Sequence, residues 1–291
     1  MTRSGELRSG KGAHDENFPV ASRLIKRRHR PVILAFYEFV RVADDIADHP
    51  ELSSTEKITR LDRLEASLLG NGDEPEGLRL HKVLNSRGLS TRHAQDLLSA
   101  FRQDATKLRY ANWEDLIDYC SRSAMPVGRF VLDVHGEARD TWPASDALCA
   151  ALQIINHLQD CARDYRVLDR VYVPLDALAA SGANVEALGE DQASSALQNC
   201  LRGLVGRTST LLGDSRGLDA KVSDTRLALE ISVIQSLASR LLAVLLVRDP
   251  LSERVHLSKT EALATAVTGS SRALLRRLLR TMAPAHRYQT P

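Results

Sequence analysis

The sequence predicts an all-α protein, and three observations carry that prediction: composition, periodicity and the lack of any β–α alternation. Leu, Ala and Arg recur throughout, while aromatic residues are only 4% of the 291 positions. Ala, Leu and Arg lose little side-chain freedom in a helix. From residue 17 onward apolar positions return at three- and four-residue spacings, the signature of helices with one buried face. No run of strands, internal repeat or low-complexity tract interrupts them.

The elements follow in order. The first stretch, 1–16, is polar, charged and Gly-containing without an apolar centre, so it reads as a flexible leader rather than a secretory signal. A helix is expected over 31–48, with Pro31 suited to its first turn and His49-Pro50 closing it. Residues 56–69 form a second amphipathic helix ended by Gly70-Asn71-Gly72. Further helices are expected over 78–84, 91–109 and 113–134, the last with Asn112 as N-cap. After Trp142-Pro143 a long helix spans 144–164, and 170–174 then reads as extended. Helices over 191–214, 224–247 and 259–282 complete the chain, with gaps short enough to argue for one domain.

Composition also excludes partners. A net charge of +2 gives no reason to expect nucleic acid. Cys120, Cys149, Cys161 and Cys200 lie far apart without a CxxC pair, so they read as reduced thiols packed as small hydrophobes in a cytoplasmic protein. The most apolar helical stretch, 237–247, is too short for a membrane span and stops at Asp249-Pro250.

Two acidic clusters carry the chemistry. The first is Asp44-Asp45-Ile46-Ala47-Asp48, in which Asp44 and Asp48 share a helix face. The second is Asn156, Asp160 and Asp164, again at steps of four, with Gln153 three residues earlier. Like charges at this spacing destabilise an isolated helix by about 0.2–0.5 kcal/mol per pair. A solvated acidic face would tolerate that, but Leu34 to Val40 and Ala147 to Ile155 are strongly apolar and bury the helices that carry the clusters. A hard cation removes the repulsion. Magnesium takes oxygen ligands, one or two carboxylates together with water and substrate phosphate, so two facing helices of this kind suit metal ions around a diphosphate.

These residues resemble the squalene/phytoene synthase family. The run Tyr37-Glu38-Phe39-Val40-Arg41-Val42-Ala43-Asp44-Asp45-Ile46-Ala47-Asp48 is similar to its first motif. Gln153 to Asp164, followed by Arg170-Val171-Tyr172-Val173-Pro174, is similar to its second. Arg109-Tyr110, Tyr119-Cys120, Ala124 and Val127-Gly128 match the central segment. The resemblance implies an all-α isoprenoid synthase domain over 17–285 with a central active-site cavity. It implies Mg2+ held by Asp44, Asp48, Asn156, Asp160 and Asp164. Arg41, Asn17 and Arg170 would contact diphosphate; Arg41 could equally pair with Asp45, and Arg170 could cap a helix C-terminus. Tyr37 would touch diphosphate or stabilise a cation, and Tyr119 either does the same or packs in the core.

Two departures narrow the resemblance. Asn17-Phe18-Pro19 stands where many members have a Ser-Phe-Ser start, and Ser121-Arg122-Ser123-Ala124-Met125-Pro126 replaces an aromatic residue followed by Val-Ala-Gly. Glu16-Asn17-Phe18-Pro19-Val20-Ala21-Ser22, Ala124-Met125-Pro126-Val127-Gly128 and Asp160-Cys161-Ala162-Arg163-Asp164-Tyr165 are most similar to the bacterial hydroxysqualene synthase branch of hopanoid precursor synthesis. That branch implies conversion of presqualene diphosphate and water to hydroxysqualene and diphosphate. Head-to-head condensation of farnesyl diphosphate or another prenyl diphosphate is the alternative, and a non-catalytic assembly protein is the reading from another class. No GxGxxG marks a nicotinamide site. His135 and His157 read as packing residues, Lys259 as a surface lysine, and the last helix, with Arg272, Arg276, Arg277 and Arg280 among leucines, as an amphipathic closing helix or a peripheral membrane contact.

Overall fold

The computed structural model describes residues 24–282. Expectations for the leader, for Asn17 and for the side chains of Arg272, Arg276, Arg277 and Arg280 lie outside the described residues and side chains. Twelve α-helices are described, and among these residues there is no strand.

Helix α1 (Arg30–Ala47) has Pro31 in its first turn and buries Val32, Phe36, Phe39, Val42 and Ile46 along one stripe. Helix α2 (Ser54–Leu68) starts from a capping box between Ser53 and Glu56, which satisfies two otherwise unpaired backbone donors. Helices α3 (Pro75–Arg87) and α4 (Arg92–Asp104) follow. Pro75 starts α3 earlier than the apolar pattern indicates, and Gly88 ends it at φ 62°, a left-handed conformation that glycine adopts without strain.

The helix expected over 113–134 is two helices, α5 (Trp113–Ser123) and α6 (Met125–His135). Pro126 lacks the amide hydrogen needed to continue α5 and its ring crowds the preceding turn, so the chain breaks at Ala124. Asn112 caps α5 as expected, its side chain accepting from the Asp115 amide at 2.9 Å. Helix α7 (Trp142–Leu168) runs one turn beyond Asp164 and ends at Asp169, which adopts φ 49°. Asp tolerates this left-handed position better than most residues. The chain then turns into the extended stretch expected over 170–174, where Val171 donates to the Leu108 carbonyl at 2.9 Å.

Helices α8 (Leu175–Ala180) and α10 (Leu218–Lys221) are short and carry too little periodicity to be read beforehand. Between and after them come α9 (Ser195–Asp214), α11 (Thr225–Leu245) and α12 (Lys259–Met282). Asp224 caps α11. That helix matches the 224–247 expectation, but its apolar stretch reaches beyond 237–247, so by length and composition it could cross a membrane; however, 61% of its most apolar window is buried in the bundle. It is a core helix.

Helix α7 is the axis of the bundle, packed against α5, α6, α9 and α11, while α1 packs on α2, α3, α4 and α6. One continuous apolar core runs from Ile25 to Val255. Gly128 lets α6 close on α7, since a Cβ there would lie 2.4 Å from Ser145 Oγ and 2.6 Å from Cys149 Sγ. Cys120, Cys149, Cys161 and Cys200 are all free thiols, three of them buried, as packing of small hydrophobes predicts.

Candidate active site

The two acidic clusters meet at one end of the bundle. Asp44 lies in the last turn of α1 and Asp48 is the C-cap residue. Their side chains keep 36% and 40% of their surface accessible, whereas Asp45 is turned inward. Arg41 bridges Asp44 at 2.9 Å and Asp45 at 2.8 Å, so the expected pairing with Asp45 holds and Asp44 shares it. From α7, Asp164 feels Asp48 across the gap. Burial, then the charges of Asp160 and Asp48, push its carboxyl up to about 7. Burial and Asp48 likewise raise Asp44. Asp44 is therefore reachable from the site mouth and yet largely shielded from bulk water by the protein around it.

Arg170 ties the two clusters together. Only 5% exposed, it donates to Asp48 Oδ1 at 2.8 Å, to Tyr172 Oη at 3.3 Å, and to the Ala47 and Asp104 carbonyls. It caps the C-termini of α1 and α4, not that of the helix that precedes it. Beneath it lies Asp104, the last residue of α4, which accepts from Tyr119 Oη at 2.8 Å and Tyr172 Oη at 3.2 Å. Burial raises the Asp104 carboxyl to about 6. Nothing local in the sequence singles out Asp104, because its partners arrive from α5 and from the extended stretch. Lys57 of α2 also sits here, and burial with the nearby Arg170 charge lowers its ammonium pKa.

An apolar cavity of about 290 Å³ opens behind the carboxylates. Helices α1, α6, α7 and α11 line it with Phe36, Val131, Leu148, Ile231 and similar side chains. Tyr37 and Asn156 are on its wall, each on the same helix as an acidic cluster. The arrangement sets a cluster of carboxylates beside an apolar chamber.

The matching family model is that of squalene/phytoene synthase, over residues 11–261. The chain belongs to the squalene/phytoene synthase family. It is 58% identical over 278 residues to a hydroxysqualene synthase of Rhodopseudomonas palustris, covering 95% of each chain. It is 53% identical, with the same coverage, to a hydroxysqualene synthase of Sinorhizobium fredii. Among solved structures, squalene synthase HpnC from Alicyclobacillus acidocaldarius superposes with a TM-score of 0.70 at 32% identity, over 82% of this chain and 90% of that one.

Of the predicted residues, Arg41 and Asp44 pair with each other, Asp48 pairs with Arg170, and Asp164 feels the charges of Asp160 and Asp48; Tyr37 and Asn156 line the apolar cavity. Tyr119 does not reach the cavity wall. It is buried in a ring cluster with Tyr110 and Tyr172, at centroid distances of 5.2 and 5.5 Å, and touches the site through Asp104. His157 stacks on Tyr172 at 3.5 Å and is bonded to Gln153, while burial and Arg170 push its pKa down to about 3. It is a neutral packing histidine, as expected. The His135 ring lies against that of His29, with centroids 4.3 Å apart and planes tilted by 33°. The donor set suits Mg2+: four carboxylates and one amide, all hard oxygens, with the Asp44 and Asp164 carboxyls held above their usual range by burial first and by neighbouring carboxylates second, both of which a cation would offset.

Proposed function

We propose that this enzyme converts presqualene diphosphate and water to hydroxysqualene and diphosphate, as a step towards hopanoids, through a single isoprenoid synthase domain spanning 17–285. The observation that carries the reading is the meeting of two oxygen-bearing stripes, from α1 and α7, at the mouth of an apolar cavity. Similarity to hydroxysqualene synthases favours this reaction over condensation of two farnesyl diphosphates. Intact site residues argue against a non-catalytic assembly protein.

Asp44, Asp48, Asn156, Asp160 and Asp164 would hold Mg2+, which when bound neutralises the diphosphate and makes it a better leaving group. Arg41, at the rim, is placed to bind diphosphate oxygens with its guanidinium fork. Arg170 holds Asp48 in position from below, and any diphosphate contact of its own would be made beside that pair. Tyr37, on the cavity wall, would offer an aromatic face to the cyclopropylcarbinyl cation, and such a face stabilises positive charge. The cavity wall excludes bulk water and folds the hydrocarbon during rearrangement. The peripheral membrane contact is placed on α12, whose exposed Leu263 and Val267 would meet the surface in which such substrates dissolve.

Diphosphate release from presqualene diphosphate tests the reading. Release should require Mg2+, stop with chelator, and be lost in Asp48→Asn and Asp160→Asn; undiminished release in both variants would refute the ligand assignment.

A further inference from the structure

Glu230 is out of keeping with the cavity it lines. Its neighbours on the wall are aliphatic and aromatic, including Ile33, Phe36, Val131 and Leu148, yet this acid is 4% exposed. A carboxylate is buried at tolerable cost only where donors hold it, and one so held keeps further acceptor sites to offer the chamber. Helix α11 turns Leu227, Glu230, Ile231 and Ile234 to the chamber at helical spacing, so Glu230 is in the middle of the lining stripe.

Its position along the chamber is equally specific. Asp224 pairs with Lys26 at 2.8 Å, and Glu137 accepts from the Ser223 and Asp224 amides at 2.8 and 2.9 Å. These contacts fasten the start of α11 to the chain just before α1 and just after α6. Asp44 and Asp48 lie at the opposite end of α1. Six residues beyond Asp224, Glu230 is about 9 Å up the helix from that remote end. The other polar groups of the wall serve elsewhere: Tyr37 and Asn156 are towards the carboxylates, and Ser145 and Cys149 pack against Gly128. The Cys149 thiol, pushed up to about 12 by burial, stays protonated. Glu230 is the one carboxylate among the described lining residues.

Resting on the presqualene diphosphate reading, we propose that Glu230 holds the water that captures the carbocation and accepts its proton. When the carbon–oxygen bond to diphosphate breaks, the electron pair leaves with diphosphate and the cation rearranges. Water oxygen then bonds to the cationic carbon, and the proton it loses passes to the Glu230 carboxylate and on to solvent. A carboxylate has several acceptor sites, so it can hold a water and a protein donor together. Placing that water far from the leaving group keeps it off the intact diphosphate ester until positive charge has moved into the hydrocarbon.

The test compares wild type, Glu230→Gln and Glu230→Leu with Mg2+ and presqualene diphosphate, without nicotinamide, following diphosphate release and organic products separately. In both variants diphosphate should still be released, while the hydroxysqualene share of the products falls by about tenfold or more in favour of hydrocarbons formed by proton loss. A packing role alone would lower all flux together and leave that share unchanged, and an unchanged share in Glu230→Gln overturns the proposal. The ratio is independent of how much variant folds. Wild type that makes no hydroxysqualene but consumes farnesyl diphosphate overturns the underlying reading instead.

Discussion

Asp164 shows what burial and neighbouring carboxylates do to an ordinary acid. The Asp164 carboxyl, near 7, keeps its proton in the folded chain over a range where the unfolded chain has lost it. Its contribution to stability is therefore present at acid pH and disappears as pH rises through about 7. Mg2+ must displace that proton below 7, so the rise in melting temperature caused by Mg2+ with diphosphate should be larger at pH 8 than at pH 6. Equal shifts would contradict the assignment. Asp160→Asn removes one of the proposed anionic ligands and should lower turnover by about a hundredfold or more. Tyr119→Phe takes a donor from buried Asp104 and should cost about 1.5–3 kcal/mol in urea unfolding. The acidic stripes were legible because period-four spacing is a local property. Asp104 was not, since a helix-end aspartate looks solvated until Tyr119 and Tyr172 fold over it.

At the level of elements, periodicity and caps identified the long helices, and proline and glycine placed most of their ends. The α5–α6 break shows the cost of reading apolar spacing across Pro126. Close packing of α6 on α7 depends on Gly128. Gly128→Ala should destabilise by about 1–3 kcal/mol by overpacking, measurable as a lower melting temperature, because its Cβ would meet Ser145 and Cys149. Helix α12 presents exposed Leu263, Val267 and Leu274, which at 100° per residue fall within about 40° of one another. Replacing all three with serine should abolish co-sedimentation with anionic vesicles; retained binding would remove the membrane role from this face.

Across the whole molecule, the fold class and the family followed from the sequence, because the helical pattern is continuous and the motifs run nearly its full length. The chamber did not. Its walls come from helices separated by up to two hundred positions, and neither its extent nor the acid within it has a local sign. The same juxtaposition explains the activity: α1 and α7 bring charge to one end, and α6 and α11 supply the hydrocarbon surface. The decisive measurement is to incubate the purified protein with Mg2+ and presqualene diphosphate, without nicotinamide, and identify the extracted product by mass spectrometry. Hydroxysqualene is the predicted product. No product from presqualene diphosphate, together with conversion of farnesyl diphosphate, would contradict the account.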